Sequence, residues 1–80
     1  MSFFNQVTLV GRLVADPEMR YTQTGVPVVS FRLAVEREFK NADGKRDADF
    51  INCTAWRKVA EIIAQYCKKG GMILASGSLQ

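Results

Sequence analysis

Eighty residues, 48% of them hydrophobic and 24% charged, bound this chain to one small domain. No apolar run approaches the ~20 residues of a membrane-spanning helix. His is absent, and Cys53 and Cys67 stand fourteen positions apart with no second pair beside them, which argues against a metal-stapled fold. The net charge of +3 permits a polyanionic partner without requiring one. No signal or transit peptide precedes the cysteines, so both thiols are expected to be free in a reducing compartment. The sequon-like Asn52-Cys53-Thr54 is then a chance match.

In chain order, residues 5–14 (NQVTLVGRLV) read as a strand with Val7, Leu9 and Leu13 on one face. Gly11 between them marks a bulge or sharp bend. Residues 15–27 (ADPEMRYTQTGVP) read as a long connection, punctuated by Asp16-Pro17 and by Gly25 before Pro27. Residues 28–38 form a second strand, in which Val29, Phe31, Leu33 and Val35 alternate with Ser30, Arg32, Ala34 and Glu36. Residues 39–47 hold Asp43-Gly44, a hairpin turn signal, because that pair accepts positive φ. Residues 48–58 (ADFINCTAWRK) are the third strand.

The period then changes. Val59, Ile62, Ile63, Tyr66 and Cys67 fall on one helical stripe, which predicts a helix over 57–71. Lys68 and Lys69 suit its C-terminal end, Gly70 its C′ position, and Gly71 the exit. Residues 72–80 read as a fourth strand with Gly77 inside it.

Three strands, a helix and a returning strand predict an all-β OB-fold, a five-stranded Greek-key barrel with its helix between strands three and four. The fifth strand is not found, so residues 1–80 are expected to form a single OB domain, incomplete at its C-terminal end and left with an open edge.

The third strand carries the functional signal. If Ile51, Cys53 and Ala55 face the core, then Phe50 and Trp56 share the solvent face with Asn52 and Thr54. The opposite choice buries Asn52 and Thr54, which is unfavourable without partners. The two rings would stand about 20 Å apart along the strand, too far to sandwich one small ligand but suited to an extended polymer. Bases stack on aromatic rings whatever their identity, and cations beside the rings would hold phosphates. Arg57 and Lys58 follow Trp56, Arg37 and Lys40 bracket Phe39, and Lys45 and Arg46 lie on the hairpin. The bland readings are a Trp56 that caps the barrel beneath the helix, and basic residues that form an ordinary solvated surface. Phe39 shares parity with the core residues of its strand, so it lies beyond the barrel wall or is re-aimed by a bulge. Phe3, Phe4 and Tyr21 read as packing or interface residues. An enzyme would need a nucleophile, base or metal site. With no His and with Cys53 on the core face, neither catalysis nor a cofactor or metal is expected, and Asp43, Asp47 and Asp49 read as a solubilising arm.

The segments VTLVGRLVADPEMRYTQTGVPVVSFRLAVERE, DFINCTAWRKVAE and YCKKGG resemble the bacterial single-stranded DNA-binding protein (SSB) family along the whole chain. The resemblance implies an OB-fold that binds single-stranded DNA with little sequence preference and no catalysis, in replication, recombination and repair. It implies a homotetramer in the bacterial cytoplasm, associated with the nucleoid. It implies base stacking at Phe39, Phe50 and Trp56, the first two being Trp in some relatives. Basic groove positions match Arg37, Lys58 and Lys69. The family domain continues past Gln80 through a hairpin and closing strand that carry another stacking aromatic. Beyond that, a tail with an acidic end recruits replication and repair proteins. An OB-type protein–protein accessory module of the replication-restart kind is the alternative.

Overall fold

The computed structural model describes residues 5–79, so Phe3, Phe4 and Gln80 lie outside the described residues. Its elements are β1 Val7–Leu13, β2 Glu18–Tyr21, β3 Pro27–Lys40, β4 Arg46–Trp56, α1 Arg57–Tyr66 and β5 Met72–Gly77.

The long strand β3 is the spine of one antiparallel sheet. Along one edge it pairs first with β2, from Tyr21↔Pro27 to Glu18↔Ser30, and then with the end of β1 at Leu13↔Leu33 and Arg12↔Ala34. Along the other edge it pairs with β4, from Val28↔Trp56 to Glu36↔Ala48. β1 crosses from β3 to β5, which it meets from Val7↔Gly77 to Arg12↔Met72. Gly11 makes that crossing possible. A Cβ there would stand 2.6 Å from the Ala34 carbonyl oxygen, so only a glycine lets the two backbones approach this closely. The bend expected at Gly11 is therefore a close approach of β1 to β3.

The short strand β2 lies inside the stretch expected to be a connection. It has four residues and one side chain, Met19, turned partly inward, so it offers no alternation to count. The Thr22–Val26 turn makes it a hairpin with β3. Thr22 N–H donates to Val26 O (2.9 Å), Gly25 N–H donates to Thr22 O (2.9 Å), and Gly25 takes a φ of +83°. Counted with β2, the helix follows the fourth strand.

The helix is shorter than its apolar stripe. It ends at Tyr66, and Cys67 is already extended, with its N–H donating to Ile63 O. Lys68 and Lys69 thus fall beyond the last helical turn. Gly70 takes the left-handed φ of +84°, in the turn after the helix. There, Gly70 N–H donates to Leu13 O (2.8 Å) and Leu13 N–H donates to Gly71 O (3.0 Å), continuing the β1–β5 register. Pairing with β1 takes the backbone out of the helix before the sequence pattern ends. Likewise β5 stops at Gly77, which ends the strand rather than lying within it.

Leu13, Val28, Val29, Leu33 and Ala60 form the buried core. Ala60 is the one buried helix residue, because its small side chain lets α1 lie close on β3. Of the expected stripe, Val59, Ile62 and Tyr66 are exposed, while Ile63 and Cys67 are half-buried. Val59, Ile63 and Cys67 border an open trough of about 970 Å³, together with Val7, Leu9, Ile51, Ala55 and Ile73. Among the described residues no strand pairs with the outer edge of β4 or of β5. Among the described residues the sheet is therefore open.

Candidate nucleic-acid interface

The alternation of β4 is set by its inward side chains. Ile51, Cys53 and Ala55 are half-buried, and Phe50, Asn52, Thr54 and Trp56 are exposed. Burial raises the Cys53 thiol pKa, so it is a poor nucleophile, and both cysteines are free. Phe50 is 55% exposed and Trp56 54%, so neither ring is sunk in the core. Trp56 stands opposite the buried Val28 and also borders the trough, so part of its surface packs while the rest meets solvent.

Arg57, directly after Trp56, has a φ of +59°, the one positive φ outside glycine among the described residues. This left-handed residue swings the chain from β4 into α1. It leaves Trp56 in extended geometry, with φ −126° and ψ 153°, at the end of the strand. Such conformations are unfavourable by about 1–2 kcal/mol for a residue with a Cβ.

At the other end, β3 and β4 project as an arm. The register shifts between Glu36 and Lys40, where three residues of β3 face Asp47 alone. That bulge carries Phe39, which is 80% exposed, consistent with a ring beyond the barrel wall on a re-aimed backbone. Asn41 closes the turn. Its side-chain oxygen accepts from Asp43 N–H (2.9 Å) and Lys45 N–H (3.1 Å), and Gly44 takes a φ of +77°.

The cations divide into committed and open groups. Arg37 Nη2 lies 2.9 Å from Asp49 Oδ1, and its Nε lies 3.2 Å from Oδ2. The hydrogen bonds and charge of this pair hold the Asp49 carboxyl below its usual range and raise the Arg37 pKa. Asp49 is thus a partner of Arg37, beyond the solubilising role expected of it. Arg46 Nη1 donates to Arg37 O (3.2 Å) and to the Glu38 carbonyl, stitching the bulge together. Lys40, Lys45, Arg57, Lys58 and Lys69 are exposed. Lys40 and Lys45 sit on the arm with Phe39, and Arg57 and Lys58 sit beyond Trp56. The Lys69 backbone N–H donates to Asp16 Oδ1 (2.8 Å).

The register adds residues that the sequence pattern did not single out. Ser30 faces Thr54 and Arg32 faces Asn52, all on the side of the sheet that carries Phe50 and Trp56. The Arg32 guanidinium carbon stands 5.0 Å from the Phe50 ring centroid. Arg20, on β2, donates from Nη1 to Ser30 Oγ (3.3 Å). A shallow depression of about 490 Å³ opens here, bordered by Ser30, Arg32, Asn52 and Thr54 and on its far side by Asp16 and Glu18. The alternation of β3 put Arg32 in solvent, but only cross-strand pairing brings it to Phe50. Among the described residues no cluster of His, Cys, Asp and Glu is placed to hold a metal ion. Among the described residues no helix is long and apolar enough to cross a membrane.

An open, bent antiparallel sheet with one helix, carrying rings and cations on one solvent face, has the architecture of an OB-fold binding module. The chain belongs to the single-strand binding protein family, whose sequence model matches residues 4–80. It is 56% identical over 77 residues to the single-stranded DNA-binding protein B of Bacillus subtilis (strain 168), covering 96% of this chain and 68% of that protein. It is 57% identical over 76 residues to the single-stranded DNA-binding protein of Halalkalibacterium halodurans, covering 95% of this chain and 45% of that one. It is 54% identical over 76 residues to the single-stranded DNA-binding protein A of Bacillus subtilis, of which it spans 44%.

Proposed function

We propose that residues 1–80 act as one OB-fold domain that binds single-stranded DNA by base stacking and phosphate neutralisation, with no bond made or broken. The observation that carries this reading is the pair of half-exposed rings, Phe50 and Trp56, on the solvent face of one strand. Family membership and the names of the relatives support the same ligand. Phe39, Phe50 and Trp56 are the stacking residues. Lys40, Lys45, Arg57, Lys58 and Lys69 contact phosphates, and Arg37 and Arg46 join them where a phosphate competes with their present partners. The domain serves replication, recombination and repair in the bacterial cytoplasm and nucleoid.

The domain works as a homo-oligomer, a tetramer on the family pattern. Val10 and Leu74 are cross-strand partners on one face of the β1–β5 ladder and both are exposed, which supports burial against another subunit. Replication and repair proteins are recruited through segments outside these residues. The test is fluorescence anisotropy with a labelled oligo-dT and with a duplex. Tight binding to the single strand alone is expected, weakened by about 1–3 kcal/mol for each ring replaced by Ala at Phe50 or Trp56. Equal binding to duplex, or indifference to both substitutions, contradicts the reading.

A further inference from the structure

We infer that Arg32 is the cation that neutralises the DNA backbone between the two stacking rings of β4, an assignment that rests on the single-strand reading above. The cations singled out in the sequence on β3, on β4, on their hairpin and at the start of α1 all flank that interval. Arg57 and Lys58 lie beyond Trp56, and Arg37, Lys40, Lys45 and Arg46 lie beyond Phe50. A strand whose bases rest on Phe50 and Trp56 must carry its phosphates across about 20 Å of sheet between them. Arg32 stands inside that span. It is opposite Asn52, two positions from Phe50 and four from Trp56 along the partner strand, and it points to the same face.

The contacts of Arg32 leave it available. It is exposed, and its guanidinium leans over the Phe50 ring at 5.0 Å. The one ion pair among the described residues is Arg37–Asp49, and Arg32 donates no hydrogen bond there. Its donors therefore remain open while the cation–π contact holds the head group over the platform. An exposed contact of this kind is weak, so a phosphate displaces or shares it readily. Asp16 and Glu18 border the depression on its β2 side, so a phosphate is repelled from that side toward the guanidinium and the β4 face.

The test is the salt dependence of labelled oligo-dT binding, read by anisotropy, for the unaltered chain, Arg32→Ala, Arg32→Lys and Phe50→Ala. Far-UV circular dichroism checks that each variant stays folded. Arg32→Ala is expected to flatten the log–log salt slope by about 0.7, one single-strand phosphate, and to weaken binding several-fold at low salt. Arg32→Lys keeps the slope, and Phe50→Ala weakens binding without changing it. An unchanged slope in Arg32→Ala overturns the assignment. So does tighter binding at every salt concentration, which would make Arg32 a cover on the ring. If the unaltered chain binds no single strand, the reading beneath the assignment fails, and the two failures are distinguishable.

Discussion

Arg37 and Asp49 clasp each other across the β3–β4 arm, with guanidinium Nη2 2.9 Å from carboxylate Oδ1. The pair engages the Arg37 guanidinium in the free protein and fixes the root of the arm that carries Phe39. The depressed folded-state pKa of Asp49 sets the sign of its pH dependence. The pair adds stability above the unfolded carboxyl pKa of about 3.9, and that stability is lost as pH falls through the lower folded value. Both side chains are more than half exposed, so the effect is small. Asp49→Asn is expected to lower the urea midpoint slightly at pH 7 and to match the unaltered chain near pH 2. A difference that persists in acid contradicts the pairing.

The same substitution bears on binding. Asp49→Asn frees the Arg37 guanidinium and removes a negative charge from the arm. Single-strand affinity at low salt is expected to rise severalfold, with a steeper salt slope. Anisotropy titration checks this, and unaltered affinity would place Arg37 off the DNA path.

Gly11 and Gly77 are both strand glycines with opposite tolerances. A Cβ on Gly11 meets the Ala34 carbonyl at 2.6 Å, whereas one on Gly77 meets nothing within 4 Å. Gly11→Ala is expected to destabilise by about 1–3 kcal/mol through overpacking against backbone. Gly77→Ala should lie within about 0.5 kcal/mol of the unaltered chain. Thermal melts of the two variants check the contrast.

Arg57 holds a φ of +59° that glycine adopts without strain. Arg57→Gly is expected to keep or raise stability, by up to about 1 kcal/mol, because relieved strain outweighs the added chain entropy. It should also weaken single-strand binding, since a cation beside Trp56 is gone. A marked loss of stability would mean that the side chain of Arg57 supports the fold.

Leu74 is exposed on β5 beside exposed Val10 and Met72. If this patch is a subunit contact, Leu74→Lys lowers the mass measured by light scattering while circular dichroism is unchanged. An unaltered mass would move the contact elsewhere.

The strands were legible where alternation ran long enough to count. β1, β3 and β4 and the exposure of Phe50 and Trp56 follow from period two, and the Asp43-Gly44 turn follows from the positive φ that Gly44 takes. β2 was not, because Met19 alone faces inward and four residues carry no period. The early end of α1 was hidden because β1 pairing, a tertiary contact, sets it. The site shows the same division. Which cations exist is written in the sequence, but their availability depends on register and on one bulge. Asp49 holds Arg37, the bulge carbonyls hold Arg46, and cross-strand pairing lifts Arg32 onto Phe50.

The most direct measurement is Trp56 emission during titration with oligo-dT. Trp56 is the chain's one tryptophan, so the signal reports one ring. Quenching is expected at low salt, reversing as salt rises with a slope near −0.7 per phosphate contacted. Emission that stays constant at saturating DNA, in protein that remains folded, contradicts stacking on β4 and the account built on it.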